Sequence, residues 1–382
     1  TAGSSILVEA TGPDSLITAA NLALSAQGAG GGGAVGASGM AITFTATNVE
    51  AAADLGGIFL DTSSTVNIGG ASGSLTGLAT TNAGAIEVAT GAGNLNTSEA
   101  IAGTGTVDLT GTAIGIGANV VGNDDVVLTG PVTITGSRTI SAGAGQLDVV
   151  NTVAVGAGAT ATFIGTPDVA TPAIGFQANV SPGAGSVLVF EQATSATAFN
   201  LNGANTNLLD NTNGLNRIQN GFSSITIGRS DRTQNIAVGA LTFNDPVTIR
   251  TPGGGNINLN GALTGAGDAS IALTPGAASR VLFNANGTII STAGQNITIT
   301  GAARVAEGFA STVSTGAGAG NIQITGLVDG TNAGAAESLV LNAGTGSLTT
   351  GVLGAGQALD LETITITNAA ITTLGGVNTV GT

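Results

Sequence analysis

The nine residues GQNITITGA, which begin at Gly294, contain the pattern that decides the fold. The two Ile residues of ITIT alternate with Thr, so Ile and Thr point to opposite faces of an extended strand. Asn296 precedes the strand and a Gly follows it, and both residue types favour corners. The stretch therefore predicts a short, half-buried β-strand between two turns.

Related phrases occur elsewhere in the chain: GNINLNGAL starts at Gly255 and GNIQITGLV at Gly320. A second phrase, SIALTPG from Ser270, resembles SLVLNAG from Ser338. Recurring strands separated by corners are typical of solenoids, in which each coil stacks on the next. We expect these phrases to mark coils of two or more strands, with connecting loops of different lengths.

The expected fold class is all-β: a right-handed parallel β-helix (β-solenoid) with irregular coil lengths and loop insertions. One continuous solenoid is expected over residues 1–382. The Gly-rich stretch 27–40 is expected to be a loop or a joint, and 221–382 is the clearest repeat-like section. At roughly 20 to 25 residues per coil, the chain would form about 15 to 19 coils. One short helix is expected over 14–26.

The composition limits the chemistry that this chain can perform. Charged residues make up only 8%, and His, Cys, Trp and Tyr are absent. All seven basic residues are Arg, so there is no Lys. Imidazole and thiolate catalysis, Schiff bases and ordinary zinc sites are therefore excluded. We expect no enzymatic activity.

The formal net charge of −15 disfavours nucleic acid as a partner, because phosphate backbones attract clustered basic residues. The seven Arg are thinly spread between Arg138 and Arg304. No run of about 18 apolar residues occurs, so no membrane insertion is expected.

The segment GFSSITIGRSDRTQNIAVGALTFNDPVTIRTPGG, residues 221–254, and the later phrase GALTGAGDASIALT resemble the strand repeats of bacterial exoproteins. They are similar to filamentous-haemagglutinin-like and autotransporter-passenger proteins of Gram-negative bacteria. This resemblance implies a secreted parallel β-helix at the bacterial cell surface, which displays or forms an adhesive or structural surface.

Two groups of residues are candidates for binding. The adjacent pair Asp124 and Asp125 is a weak calcium candidate, and its alternative role is to cap the turn before the next strand. Calcium is the one possible cofactor. The isolated acidic pair and an isolated Arg217-Ile218-Gln219 phrase are also the only traces of a polysaccharide-active β-helix enzyme, a remote alternative.

The second group is an Arg-bearing patch, whose members are Arg229, Asp231, Arg232 and Arg250. It could bind an acidic surface of another subunit or an anionic glycan. The alternative is an ordinary surface ion pair among Arg229, Asp231 and Arg232.

The sequence thus predicts a non-enzymatic extracellular structural protein, a solenoid that forms or belongs to a cell-surface fibre. Neither end shows an amphipathic helix or a charged edge, so we expect end-to-end self-association into filaments. The alternative is an adhesin segment that binds a cell-surface or matrix polysaccharide or a host surface. Because no signal sequence opens the chain, Thr1 is expected to begin a processed or excerpted segment.

Overall fold

The computed structural model describes residues 5–6, 16–28, 30–168, 171–331, 337–354 and 361–377. The chain forms two compact units. Unit 1 comprises Thr1–Pro167, Pro172–Ala193 and Thr212–Gln219, and unit 2 comprises Asp168–Thr171, Thr194–Asn211 and Asn220–Thr382. Parallel strands stack as a β-solenoid, and the chain completes about 14 turns. The predicted all-β parallel solenoid is confirmed.

Unit 1 contains 23 strands and one 3₁₀ turn in its described residues. They are β1 Ile17–Thr18, β2 Asn21–Ala26, β3 Ala34–Val35, β4 Ile42–Thr45, β5 Asn48–Ala53, β6 Gly57–Thr62, β7 Val66–Ile68, β8 Leu78–Thr80, β9 Ile86–Thr90, β10 Leu95–Thr97, β11 Ile101–Ala102, β12 Val107–Thr110, β13 Ile114–Ile116, β14 Val120–Val121, β15 Val126–Thr129, β16 Val132–Ile134, β17 Arg138–Ser141, β18 Leu147–Val149, β19 Val153–Val155, β20 Thr160–Gly165, β21 Ile174–Phe176, β22 Val180–Ser181, β23 Val187–Gln192 and the 3₁₀ turn Leu215–Arg217.

Unit 2 contains the remaining 20 strands found in the described part of the chain. They are β24 Phe199–Leu201, β25 Asn207–Leu209, β26 Ser224–Ile227, β27 Ile236–Val238, β28 Leu241–Phe243, β29 Val247–Arg250, β30 Ile257–Leu259, β31 Leu263–Gly265, β32 Ile271–Thr274, β33 Arg280–Phe283, β34 Gly287–Thr292, β35 Ile297–Ile299, β36 Ala302–Val305, β37 Ala310–Ser314, β38 Ile322–Ile324, β39 Val328–Asp329, β40 Ser338–Asn342, β41 Ser347–Leu353, β42 Thr363–Asn368 and β43 Ile371–Val377.

Each unit has three rows of parallel strands, and a typical turn contributes one strand to each row. The rows of unit 1 run β1-β4-β6-β9-β12-β15-β18-β21, β7-β10-β13-β16-β19-β22 and β2-β5-β8-β11-β14-β17-β20-β23. The rows of unit 2 run β26-β29-β32-β35-β38-β41-β43, β24-β27-β30-β33-β36-β39-β41 and β28-β31-β34-β37-β40-β42.

The core of each unit consists of columns of aliphatic side chains. Alternate residues of each strand point inward, so paired positions in successive turns stack into a column. One column of unit 1 contains Ile86, Val107, Val126, Leu147 and Ile174, with side chains at most 1% exposed. Burial of such a side chain contributes about 1.5 to 3 kcal/mol, so these columns supply most of the stabilisation.

Aromatic residues cluster in one part of the unit 1 core. Phe163 and Phe190 are stacked with ring centroids 5.7 Å apart, and Phe176 meets Phe163 edge-on at 5.1 Å. All three rings are fully buried. A few Phe residues therefore fill one part of the unit 1 core, and columns of aliphatic residues fill others.

The turns differ in length, as the predicted irregular coil lengths and loop insertions require. Paired positions are 18 residues apart at Ile42 and Leu60, but 37 apart at Phe199 and Ile236, where β25 is inserted. These insertions explain why about 14 turns form, fewer than the predicted 15 to 19. The predicted helix over 14–26 is also wrong: β2 lies there and pairs with β5.

The three related phrases GNINLNGAL, GQNITITGA and GNIQITGLV are not equivalent in the fold. The strands after Asn296 and Asn321 pair with each other, 25 positions apart. The strand after Asn256, however, is β30, which lies in a different row and pairs with β33. The shared pattern marks a type of corner rather than a fixed place in the coil.

Candidate functional site

The Asn residues at these corners connect successive turns through their side chains. Asn296 Oδ1 accepts the backbone N–H of Asn321 at 2.8 Å, and Asn321 Oδ1 accepts that of Ser347 at 2.8 Å. In another row, Asn235 Oδ1 accepts the backbone N–H of Asn256 at 2.8 Å, and Asn256 Oδ1 accepts that of Arg280 at 3.0 Å. The side chain supplies an acceptor where the strand ladder has not yet begun, so the turns are bonded at their corners as well as along their strands.

The Gly residues beside these corners allow the close approach that the bond requires. A Cβ on Gly255 would lie 2.0 Å from the carbonyl oxygen of Gln234, and one on Gly320 would lie 2.3 Å from that of Gln295. No side chain fits at such distances. The Gly-Asn pair is therefore a local unit: Gly lets the turns touch, and Asn bonds them.

Asp125, one of the two calcium candidates, occupies the same kind of corner in unit 1. It directly precedes β15, and its Oδ1 accepts the backbone N–H of Gln146 at 2.8 Å. Asp124 and Asp125 are both exposed. The described residues contain no group of three or more carboxylates suited to a metal ion. The geometry gives Asp125 the bonding role that Asn has in unit 2.

The Arg-bearing patch is divided between the surface and the interior. Arg229 forms a two-pronged ion pair with Asp231, with Nε–Oδ1 at 2.8 Å and Nη2–Oδ2 at 3.0 Å. This hydrogen bonding from Arg229 holds the pKa of Asp231 below its usual value. Arg250 bonds to the backbone of the preceding turn: its Nε donates to the Gly228 carbonyl oxygen at 2.8 Å.

Arg232 does not belong to a surface patch, which corrects its predicted place there. Its side chain is fully buried, and its guanidinium carbon lies 4.1 Å from the centroid of the Phe199 ring. Nη2 donates to the Asn235 carbonyl oxygen at 2.7 Å. Burial lowers the pKa of Arg232 to about 10, so it remains a cation at neutral pH. A buried Arg was invisible in the sequence because Arg is usually exposed.

A loop of unit 1 is held by two acidic side chains that the sequence did not single out. The Glu50 carboxylate accepts N–H bonds from Ala71 and Ser72 at 2.9 and 3.0 Å, and a bond from the Ser72 hydroxyl at 2.6 Å. Glu99 accepts the Gly77 N–H at 2.8 Å. Burial opposes the charged form of Glu50, but these hydrogen bonds outweigh it and lower its pKa.

Asp54 fixes the Gly-rich stretch 27–40 in a similar way. Its Oδ2 accepts the Gly28 N–H at 3.0 Å, and its Oδ1 accepts the Thr81 hydroxyl at 2.8 Å. Together with a bond from the Gly33 N–H, these contacts lower the pKa of Asp54 against the effect of burial. The stretch also contains β3, which pairs with β6. Its described residues are thus tied to the solenoid.

The last described turn of unit 2 exposes side chains that the preceding turn buries. Ile364 and Ile366 are paired with Leu339 and Leu341, which are fully buried. Yet Ile366 is 36% exposed. In β43, Val377 is paired with Leu353. Val377 is 57% exposed, whereas Leu353 is 3% exposed. We call this surface, formed by Ile364, Ile366, Leu374 and Val377, the open coil face.

A shallow groove lies on the outer surface of unit 1. It encloses about 370 Å³ over β10, β13 and β16, and its polar lining includes Asn96 and Thr133. Gly115 separates these two positions in the strand register. A Cβ there would lie 2.5 Å from Asn96 Oδ1, so the missing side chain leaves the groove open.

No known protein family matches the chain, and no curated protein or solved structure does so either. The stacked parallel turns are compatible with the β-helix repeat class of exoproteins. In the described residues, no helix has the length and apolar character needed to cross a membrane.

Proposed function

We propose that this chain is a non-enzymatic structural segment of an extracellular fibre on the bacterial cell surface. It belongs, in this proposal, with filamentous-haemagglutinin-like or autotransporter-passenger exoproteins. The observation that carries the proposal is the repeated bonding between turns. Strand ladders and corner side chains connect successive turns in both units, and this repeated bonding suits a load-bearing element.

The composition supports a structural role as well. Without His, Cys, Lys or Tyr, the chain has few groups for acid–base or covalent chemistry. Instead, buried acidic side chains such as Glu50 and Asp54 hold backbone amides of loops. Their carboxylate oxygens accept hydrogen bonds from the backbone of the solenoid itself.

Immunogold labelling of intact source cells tests this role. An antibody raised against the purified chain is expected to decorate surface fibres without permeabilisation. A matched sample of permeabilised cells serves as the control. Label that appears only after permeabilisation would overturn the extracellular assignment, and release of reducing sugars from polysaccharides by the purified chain would overturn the non-enzymatic one.

A second candidate function, glycan binding by an adhesin segment, is favoured by the groove over Gly115. Its neutral amide and hydroxyl groups suit the hydroxyls of an uncharged saccharide. On a glycan array, the chain would bind neutral glycans, and N96A together with T133A would abolish the signal. T373A, an exposed Thr outside the groove, is the matched control. Binding that the double substitution leaves unchanged would exclude this groove.

A further inference from the structure

The outer face of unit 1 carries a ladder of Asn side chains that occupy the same position on successive turns. Asn21, Asn48, Asn67 and Asn96 are partners in the strand register. Asn48 Nδ2 donates to Asn21 Oδ1 at 2.8 Å, and Asn67 Nδ2 donates to Asn48 Oδ1 at 3.1 Å. In these bonds the later amide donates to the carbonyl oxygen of the amide one turn before it.

The ladder has a gap at its next position, Gly115. Gly115 pairs with Asn96 on one side and with Thr133 on the other, and it has no side chain to form a rung. Asn96 Oδ1 faces the gap, because it lies 2.5 Å from the place of a Gly115 Cβ. Neither polar atom of the Asn96 side chain has a hydrogen-bond partner among the described residues. The gap therefore presents a carbonyl acceptor where the direction of the ladder calls for a donor.

The groove of about 370 Å³ opens over this gap, with Asn96 on one wall and Thr133 on the other. Because parallel strands lie about 4.8 Å apart, these two walls are roughly 9.6 Å apart. A group that fills the gap must donate to Asn96 and accept from the Thr133 hydroxyl across that distance. An amide carries its N–H and its C=O on different atoms and so reaches both walls, whereas a hydroxyl carries its donor and its acceptor on a single oxygen.

A saccharide suits this groove better than a peptide does. Strand β13, which forms the floor, is paired on both sides with β10 and β16. Its main-chain groups are therefore already bonded, and a peptide strand cannot add to the sheet there. A sugar ring needs no backbone partner: its hydroxyls meet the exposed Thr133 and Thr135, and its ring lies on Gly115 and Gly117.

We propose that the groove over β13 binds N-acetylated amino sugars, with the acetamido group of the sugar in the place of the missing rung. The acetamido N–H donates to Asn96 Oδ1, following the direction of the ladder, and the acetamido oxygen accepts the Thr133 hydroxyl. The inference rests on the glycan-binding candidate function and narrows its ligand from uncharged saccharides to those that carry an acetamido group.

Calorimetric titration of the purified chain with chitotetraose and with cellotetraose tests the acetamido group. The two sugars share their linkage and length, and cellotetraose has a hydroxyl where chitotetraose has the acetamido group. Chitotetraose is expected to bind about tenfold more tightly or better. Equal affinities would overturn the acetamido assignment and leave the glycan-binding candidate standing, whereas no binding of either sugar would overturn both. Binding of an Asn-rich peptide in place of the sugars would overturn the proposal in favour of a protein partner.

G115N fills the gap with an amide of the chain itself and is expected to abolish chitotetraose binding. The atoms nearest to the added Cβ all belong to the Asn96 side chain, which can rotate away, so the variant is expected to fold. G175N is the matched control, because Gly175 is also the outward central residue of a three-residue strand, β21. It should bind chitotetraose as the wild type does.

T133V is a second variant that does not depend on the folding of G115N. It replaces the exposed Thr133 hydroxyl with a methyl group and is expected to weaken chitotetraose binding about tenfold. Chitotetraose binding that neither G115N nor T133V changes would overturn the proposal, as would an equal loss in G175N. Immunogold labelling judges the structural role separately.

Discussion

Loops near the start of unit 1 and the corners of two successive turns in unit 2 are bonded by different side chains. In unit 1, Glu50 and Asp54 each hold one particular Gly-rich segment with several hydrogen bonds. In unit 2, Asn296 and Asn321 make the same single bond at the same corner in successive turns. A hydrogen bond that recurs at the same corner of successive turns leaves a repeated sequence pattern, whereas a bond made once does not. This difference fits the clearer sequence repeats of 221–382.

The largest effect is expected at the Gly of a repeated corner. G320A places a Cβ 2.3 Å from the Gln295 carbonyl oxygen, and the backbone of two turns must separate to accommodate it. We expect a loss of about 3 kcal/mol or more in the free energy of unfolding. G91A is the control, because nothing lies within 4 Å of its added Cβ. Equal stability of the two variants in denaturant titrations would refute the close-approach argument.

Removing a loop-specific carboxylate should have the next largest effect. E50A deletes three hydrogen bonds to Ala71 and Ser72, and we expect unfolding to become easier by about 2 to 3 kcal/mol. Proteolysis should then occur first within 69–77. The exposed E87A variant is the control and should change stability little. An unchanged cleavage pattern in E50A would show that Glu50 does not hold this loop.

A corner Asn should matter less, because it makes one bond near solvent. N321A removes the acceptor for the Ser347 N–H, and a loss of about 1 kcal/mol is expected. N321D keeps an acceptor oxygen, as Asp125 does in unit 1, and should retain most of the stability. Q323A, on the strand that Asn321 precedes, is the control. If N321D is as unstable as N321A, the corner bond is not what stabilises this position.

The smallest effects concern pH, and they should have opposite signs at two residues, Asp54 of unit 1 and Asp245 of unit 2. Hydrogen bonds lower the pKa of Asp54, so its stabilisation is present at neutral pH and is lost as the pH falls through that lowered pKa. Burial raises the pKa of Asp245, helped by the nearby charge of Asp268 and against a bond from the Gly221 N–H. The free-energy cost of burying the charged Asp245 carboxylate is present at neutral pH and disappears when acid protonates the group.

Chemical unfolding of D54N and D245N at pH 7 and at acidic pH measures these opposite effects. D54N should be less stable than the wild type at pH 7, and D245N more stable. Both differences should shrink in acid, because the wild-type carboxyl groups become neutral there. A difference that stays constant with pH would mean that the carboxyl charge is not the cause.

Local patterns predicted the fold well, because alternation in phrases such as ITIT directly reports which face of a strand is buried. They could not assign strands to rows, since Asn256 and Asn296 occupy identical local corners in different rows. The burial of Arg232 also escaped prediction. It depends on what lies beside the residue in the folded chain, and a single strand pattern does not contain that information.

Deletion of one complete turn tests most directly whether the turns serve as structural units. Removing 297–321 eliminates β35, β36 and β37 and joins Asn296 to Ile322, which preserves the Asn-Ile corner. Removing only 297–308 deletes β35 and β36, leaves β37 in place and is the control. We predict that the full-turn deletion unfolds cooperatively at nearly the wild-type temperature and still reaches surface fibres, while the partial deletion does not fold. A full-turn deletion that is folded but absent from the fibres would contradict a purely structural role, and one that fails to fold would contradict the equivalence of the turns.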